Sequence, residues 1–128
     1  MVGMASTGRE VRVHGEVASA ISDAMSGLLS RYTGRGATSS WTTFGKDLIV
    51  CVMEGALTKG EQSLVQFGRT DAVMNIRSAF QEAMAQEAIG IVEELSGRRV
   101  TAFMSNNHID PDLAVEIFVL QRTSNGLA

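Results

Sequence analysis

The first periodic pattern in the chain runs from Val13 to Thr33, where apolar residues recur at steps of three and four. This spacing places one apolar stripe along a helix of about five turns. Gly34 follows the pattern, and glycine readily closes a helix in the left-handed conformation. We therefore predict a first helix that ends near Thr33. Its stripe consists of Val17, Ile21, Ala24, Met25, Leu28 and Tyr32.

Two short extended segments follow this helix. Residues 38–44 are rich in Thr, Ser, Trp and Phe, and residues 48–53 are apolar at every position. β-branched and aromatic side chains favour strands, and residues 45–47 make a compact turn between the two segments. The pattern predicts a hairpin whose second strand is buried on both faces, with Trp41 as a packing residue.

A capping pattern marks the second helix. Thr58 is followed three positions later by Glu61, the arrangement of a capping box in front of the apolar pair Leu64 and Val65. The dipeptide Phe67-Gly68 is typical of a helix end. The second helix is therefore predicted to be short.

A third and longer helix is predicted to begin where Thr70 or Asp71 can act as the cap. It covers about 25 residues and ends at Gly97, a residue suited to closing a helix. Its predicted apolar stripe runs through Val73, Ile76, Phe80, Met84, Ala88, Ile91 and Leu95.

The last two extended runs, residues 99–109 and 113–120, flank a turn built from Asp, Pro and Asp. The resulting order, α-β-β-α-α-β-β, predicts an α+β fold with a four-stranded, mostly antiparallel sheet and helices packed on one face. Residues 10–122 are predicted to form a single domain. Residues 1–9 and 123–128 are expected to be flexible tails because they lack periodic apolar positions.

Composition excludes several classes of function. The chain has 128 residues and a formal charge of −3, so it lacks the basic footprint of a nucleic-acid binder, and no nucleic-acid partner is expected. Its longest uninterrupted apolar stretch, residues 48–53, is far too short to span a bilayer. The one cysteine, Cys51, lies inside that stretch, which favours a reducing, cytoplasmic location and an inert thiol.

The turn Gly34-Arg35-Gly36 is the first candidate site. Two glycines allow close approach of a ligand to the backbone, and a guanidinium can bind a carboxylate or phosphate through two hydrogen bonds. The same residues are also typical of an ordinary helix C-cap. Both interpretations remain open at this point.

The tip of the second hairpin is the second candidate site, because oxygen and imidazole groups are concentrated there. These groups suit a polar ligand or a divalent metal, yet the EF-hand pattern and a His-x-x-x-His pair are absent, and Asn, Asp and Pro are also ordinary turn residues. We therefore predict no metal and no cofactor, and keep the tip as a ligand or partner contact. Its candidate residues are Asn106, Asn107, His108, Asp110 and Asp112.

No set of residues in the sequence indicates catalysis. The chain lacks a Gly-x-Ser-x-Gly elbow, and Glu61 is better explained by helix capping than by acid–base work with Glu54 or Lys59. Without a nucleophile, an acid–base pair or a metal set, the protein is not expected to be an enzyme.

Three separated strings resemble the MpsC family of small bacterial domains, also called YbcI-type proteins. They are Ile21–Gly36, Leu57–Glu61 and Ser105–Asp112, and the similarity extends over most of the chain. The resemblance implies a component of a Na⁺-translocating, membrane-potential-generating system, and it implies no catalytic residue.

A domain of this size cannot itself conduct an ion through hydrocarbon, where an unpaired charge is too costly. The resemblance therefore implies an accessory or regulatory subunit, cytoplasmic or peripheral at the inner face of the membrane, that contacts a membrane transport protein. A homodimer is expected because the last two strands are apolar on both faces, and helices on one side leave the other face uncovered.

Two alternatives compete with this interpretation. A sensor of a small ligand or anion requires the turn at 34–36 and the tip at 105–112 to meet in space. A KH-like RNA-binding module is suggested by the order of elements, although its helix junction at residues 67–71 has one glycine and one arginine beside an aspartate.

Overall fold

The computed structural model describes residues 2–122, with side chains from residue 14 onward. These residues confirm the predicted α+β fold and the order α-β-β-α-α-β-β. The helices are α1 (Val2–Thr33), α2 (Lys59–Gln66) and α3 (Thr70–Ser96), and the strands are β1 (Ser39–Gly45), β2 (Leu48–Glu54), β3 (Val100–His108) and β4 (Leu113–Leu120).

Helix α1 ends at Thr33 as predicted, and Gly34 follows it with a φ of 88°. Its start differs from the prediction, because the helix begins at Val2 and includes residues 2–9, which the sequence pattern assigned to a tail. The other predicted tail, residues 123–128, lies outside the described residues. No helix within residues 2–122 combines the length and the apolar character that a membrane crossing requires.

The four strands form one antiparallel sheet in the order β1-β2-β4-β3. In its register Ser39 pairs with Glu54, Glu54 with Leu113, and Leu113 with His108. The start of β1, the end of β2 and the β3–β4 turn therefore lie at the same end of the sheet. This end, with residues 34–39, 54–58 and 108–113, is called the tip end below.

Helices α1 and α3 pack on one face of the sheet, the inner face, as predicted. Side chains alternate along each strand, so every second residue of β2 and β4 enters the core between sheet and helices. Phe118 lies at the centre of this core and is fully buried. The buried inward residues of these two strands are Ile49, Cys51, Met53, Ala114, Glu116, Phe118 and Leu120.

The opposite side of the sheet, the outer face, is not covered by any described residue. The prediction that the second strand is buried on both faces is wrong, since Leu48, Val50 and Val52 are only half-buried. Trp41 also lies on this side and is 44% exposed, so its predicted packing role is not observed among the described residues. The reason is topological, because both long helices return to the same side of the sheet. The outer face consists of three rows: Trp41, Val52, Val115 and Asn106; Thr43, Val50, Ile117 and Met104; and Gly45, Leu48, Val119 and Ala102.

The buried stripe of α3 differs from the predicted one. Ile76 and Leu95 are exposed, whereas Arg77 and Val92 are buried. Val73, Met84 and Ala88 are buried as predicted, and the inward-facing Arg77 forms a buried ion pair with Glu61. The predicted cap is also wrong, since Arg69 is the N-cap residue and makes no side-chain capping bond. Gly97 closes the helix in the left-handed conformation, as predicted.

Candidate functional site

The turn at Gly34–Gly36 and the tip of the second hairpin meet at the tip end of the sheet. The Nε of Arg35 donates to the Gly55 carbonyl at 3.0 Å, and the Gly55 amide donates to the Asp112 carbonyl at 3.1 Å. Gly55 therefore links the two candidate segments directly. The ligand-sensor hypothesis required this convergence, and the geometry meets the requirement; binding itself stays a prediction.

The four residues that connect β2 to α2, residues 55–58, are held by charged side chains from elsewhere in the fold. Their backbone is irregular, and Ala56 and Leu57 are buried, so their polar groups need partners inside the protein. Each of the four residues has one backbone group bonded to one charged side chain. These bonds join Arg35 Nε to Gly55 O (3.0 Å), Arg77 Nη2 to Ala56 O (2.6 Å), Leu57 N to Asp112 Oδ2 (3.0 Å) and Thr58 N to Glu61 Oε1 (2.8 Å).

These four side chains, Arg35, Glu61, Arg77 and Asp112, are called the clamp below. At its centre Arg77 Nη2 lies 2.7 Å from Glu61 Oε1, and both side chains are almost completely buried. The predicted capping box is confirmed, because Thr58 accepts the Glu61 amide while Glu61 accepts the Thr58 amide. Glu61 Oε2 and Arg77 Nε are buried without a hydrogen-bond partner. A buried ion pair is therefore present whose hydrogen bonding is incomplete.

A small cavity of about 10 Å³ lies beside Arg77, the size that holds one water molecule. Its polar lining comes from Arg77, Gln81, Asn107 and Glu116. The cavity thus brings a residue of the predicted tip, Asn107, next to two buried charged side chains.

The remaining tip residues do not converge on one centre. Asn106 is exposed and accepts the amide of Asn107 at 2.8 Å, and exposed His108 has Nδ1 2.8 Å from the Pro111 carbonyl. Asp110 is exposed, whereas Asp112 belongs to the clamp. Within residues 14–122 no three His, Cys, Asp or Glu side chains are grouped so that they could hold a metal ion.

A row of polar side chains crosses the inner face of the sheet. Thr42 pairs with Cys51, Cys51 with Glu116, and Glu116 with Ser105 in the strand register. The Thr42 hydroxyl is also 2.7 Å from the hydroxyl of Ser22 on α1, and the Ser105 hydroxyl donates to the Glu116 carboxylate. The row therefore places a carboxyl group on a central strand inside the core.

Burial dominates the electrostatics of this row. It raises the pKa of Glu116 to about 7, although the hydrogen bond from Ser105 acts in the opposite direction. Burial also raises the pKa of Cys51 to about 11, partly offset by its hydrogen bond with Thr42. A thiol needs to be ionised to react, so Cys51 has the character of an inert core residue, as the sequence indicated.

Comparison with known families assigns the chain. The family model described as the Na⁺-translocating membrane potential-generating system (MpsC) matches residues 13–122. The chain belongs to the MpsC family. No curated protein and no solved structure matches it.

The three strings that carry the resemblance to MpsC proteins contribute to one structural feature. Ile21–Gly36 supplies Arg35, Leu57–Glu61 supplies Glu61, and Ser105–Asp112 supplies Asp112. Residues far apart in this MpsC sequence therefore act together to hold the β2–α2 connection.

Sequence reasoning did not identify Arg77 or Glu116. A signal for both is present in this MpsC chain, because each charged residue lies at a position that the apolar periodicity of its helix or strand would bury. Arg77 lies between Val73 and Met84 on α3, and Glu116 lies between Ala114 and Phe118 on β4. A charge at such a position indicates either an error in the predicted phase or a buried polar site.

Replacing Gly55 tests how rigidly the connection is held. Gly55 has a φ of 69°, and a Cβ there would lie 2.2 Å from Thr38 Oγ1. Gly68 has a similar φ of 83° but open space around its Cα. We expect Gly55→Ala to lower the free energy of unfolding by about 2 kcal/mol and Gly68→Ala by about 1 kcal/mol, measured by urea denaturation. Equal losses would show that the connection moves freely away from Thr38.

Proposed function

We propose that this protein is a non-catalytic interaction domain, accessory or regulatory to a Na⁺-translocating, membrane-potential-generating system. The observation that carries the proposal is the MpsC family match over residues 13–122. A non-catalytic role is supported by the clamp, because its four charged side chains each bind backbone within the chain. In this proposal the domain works in the cytoplasm, peripheral to the inner face of the membrane, as a homodimer.

The tip end is the proposed contact for the membrane partner. It combines a backbone held by the clamp with polar side chains that remain accessible, among them His108 and Asp110. Arg35 uses Nε for Gly55, while its two terminal nitrogens make no hydrogen bond among the described residues. A guanidinium with free terminal nitrogens on a rigid support can bind a carboxylate of a partner protein.

The convergence of the turn and the tip also favours a second candidate, the sensing of a small carboxylate or phosphate at Arg35. This candidate uses the same guanidinium with a free ligand in place of a protein side chain. The KH-like alternative has less support, because Arg69 at the helix junction is bonded to Asp71 at 3.0 Å and 3.2 Å.

Affinity capture from native membranes and cytoplasm tests the proposal. The tagged wild type, Arg35→Ala and Arg99→Ala are compared, the last being an exposed arginine at the opposite end of β3. We expect wild type and Arg99→Ala to recover a membrane transport protein, and Arg35→Ala to recover at least about ten times less. Arg35→Ala stays folded, since it loses one hydrogen bond of about 1–2 kcal/mol.

Two outcomes would contradict the proposal or redirect it. Recovery of the chain alone by all three proteins would refute a docking role. Equal recovery of a transporter by all three would leave the role intact and remove Arg35 from the contact.

A further inference from the structure

We propose that the outer face of the sheet is the surface through which two copies of this chain associate. This inference deepens the homodimer within the proposed function and names its interface. Its occupant is a second copy of the same chain, packed face to face in the manner of a β-sandwich.

The composition of the outer face supports such packing. Its centre is formed by two adjacent strands that present only aliphatic side chains, three from β2 and three from β4. None of the twelve residues in its three rows is charged. A two-fold interface brings equivalent surfaces together, so a charged patch would lie against a patch of like charge. The outer face is neutral and can pack against the same face of a second copy without charge repulsion. The six central residues are Leu48, Val50, Val52, Val115, Ile117 and Val119.

The shape of the face is complementary to itself. Its two large exposed side chains, Trp41 and Met104, stand on opposite edges of the sheet and in adjacent rows. The smaller Thr43 and Asn106 occupy the other diagonal. If the two-fold axis runs along the strands, Trp41 lies over Asn106 of the second copy and Met104 over Thr43 of the second copy. If the axis runs across the strands, Trp41 lies over Thr43 of the second copy and Met104 over Asn106 of the second copy. A large side chain therefore meets a small one for either direction of the axis.

The size of the face is sufficient for a specific dimer. Four strands about 4.8 Å apart and four rows about 6.8 Å apart, namely the three rows of the outer face and the adjoining row of Ser39, Glu54, Leu113 and His108, cover roughly 500 Å² in plan. Two copies together cover about 1,000 Å², which is where specific interfaces begin. The three rows alone cover about 400 Å², within the size range of the largest apolar patches on monomers, which are often functional. The adjoining row lies at the tip end, and three of its four residues, Ser39, Glu54 and His108, are polar, as expected for an interface rim.

Trp41 provides a direct reporter, because it is the one tryptophan of the chain and lies on the proposed interface. Light scattering of the wild type is expected to give twice the chain mass. On dilution, Trp41 emission is expected to shift to longer wavelength over the same concentration range in which the mass falls. A monomer at high concentration, or a dimer whose Trp41 emission does not change on dissociation, would overturn the proposal.

Charged variants locate the interface. Val52→Lys and Val52→Glu each place like charges near one another at the centre of a two-fold dimer, and each is expected to weaken association by about 100-fold or more. Gln86→Lys, on the exposed side of α3, is the matched control and should leave association unchanged. Mixing the Val52→Lys and Val52→Glu chains should restore a dimer of one copy of each, which a misfolded variant cannot form. Persistence of the Val52→Lys dimer, or failure of the mixture to associate, would overturn the proposal.

The same variant separates this inference from the proposed function. Capture of a membrane transporter by monomeric Val52→Lys would support the dimer interface while leaving the docking role at the tip end. The other outcome is a monomeric wild type, with loss of the transporter by Val52→Lys and not by wild type or Gln86→Lys. The outer face would then bind the transporter, so the dimer would be refuted while the docking role stands.

Discussion

Replacing Arg77 with methionine is expected to lower the free energy of unfolding by about 3–5 kcal/mol. Methionine fills much of the same volume, so the loss comes from electrostatics and hydrogen bonding more than from packing. The Glu61 carboxylate remains buried without its counter-charge, and the Ala56 carbonyl loses its donor. Denaturation in urea, followed by circular dichroism, measures the loss.

A double variant distinguishes the ion pair from simple packing. Arg77→Met combined with Glu61→Gln removes both charges while the glutamine oxygen can still accept the Thr58 amide. We expect the double variant to be more stable than Arg77→Met alone, because no unpaired charge is left in the core. Arg69→Met, at an exposed ion pair with Asp71, is the matched control and should leave the unfolding midpoint unchanged. A loss below about 1 kcal/mol for Arg77→Met would mean that water reaches the pair.

Glu116→Gln is expected to stabilise the protein at pH 8 by up to about 3 kcal/mol, the second large effect. Burial raises the pKa of Glu116 to about 7 from 4.5, so the folded state holds a proton that the unfolded chain releases. The stability contributed by that proton is fully present below pH 4.5 and is lost as the pH rises through about 7. The amide of glutamine keeps the volume and a hydrogen-bond acceptor for Ser105 without taking a charge.

Unfolding free energies of wild type and Glu116→Gln, measured from pH 4 to pH 9, check this expectation. The wild type should lose stability relative to the variant between about pH 4.5 and pH 7 and level off above pH 7. The groups facing Glu116 include Ser105, Cys51 and Arg77. The Ser105 hydroxyl does not titrate, and the pKa of Cys51 is raised to about 11, above the pH range of the measurement. The third, Arg77, lines the same cavity as Glu116. Glu82→Gln, at an exposed carboxylate on α3, should keep the wild-type profile. Parallel profiles for wild type and Glu116→Gln would show that the carboxyl group is solvated in the folded state.

Both effects arise from charged groups in a core that the sequence pattern describes as apolar. The cavity shared by Arg77, Asn107 and Glu116 connects the polar row of the sheet with the clamp at the tip end. The two stability measurements therefore test how strongly this buried network stabilises the fold.

The order of the helices and strands along the chain, together with local capping residues, determined most of the fold. Helix ends at Gly34 and Gly97, and the capping box at Thr58 and Glu61, were predicted because each depends on the conformational preference or hydrogen bonding of residues a few positions apart. The α+β class followed from the order of those elements. The candidate segments at 34–36 and 105–112 were also identified by residue type.

Tertiary structure alone decided what these residues do. Arg35 and Asp112 were predicted as ligand or partner contacts, and the fold places both against the backbone of residues 55–57, which no local pattern indicates. Arg77 lay outside the predicted stripe because its burial depends on Glu61, a partner on another helix. The exposed position of Trp41 depends on both long helices packing on the same side of the sheet. Periodicity reports that a face is apolar, whereas the packing of distant elements decides which apolar face is covered and which is left exposed.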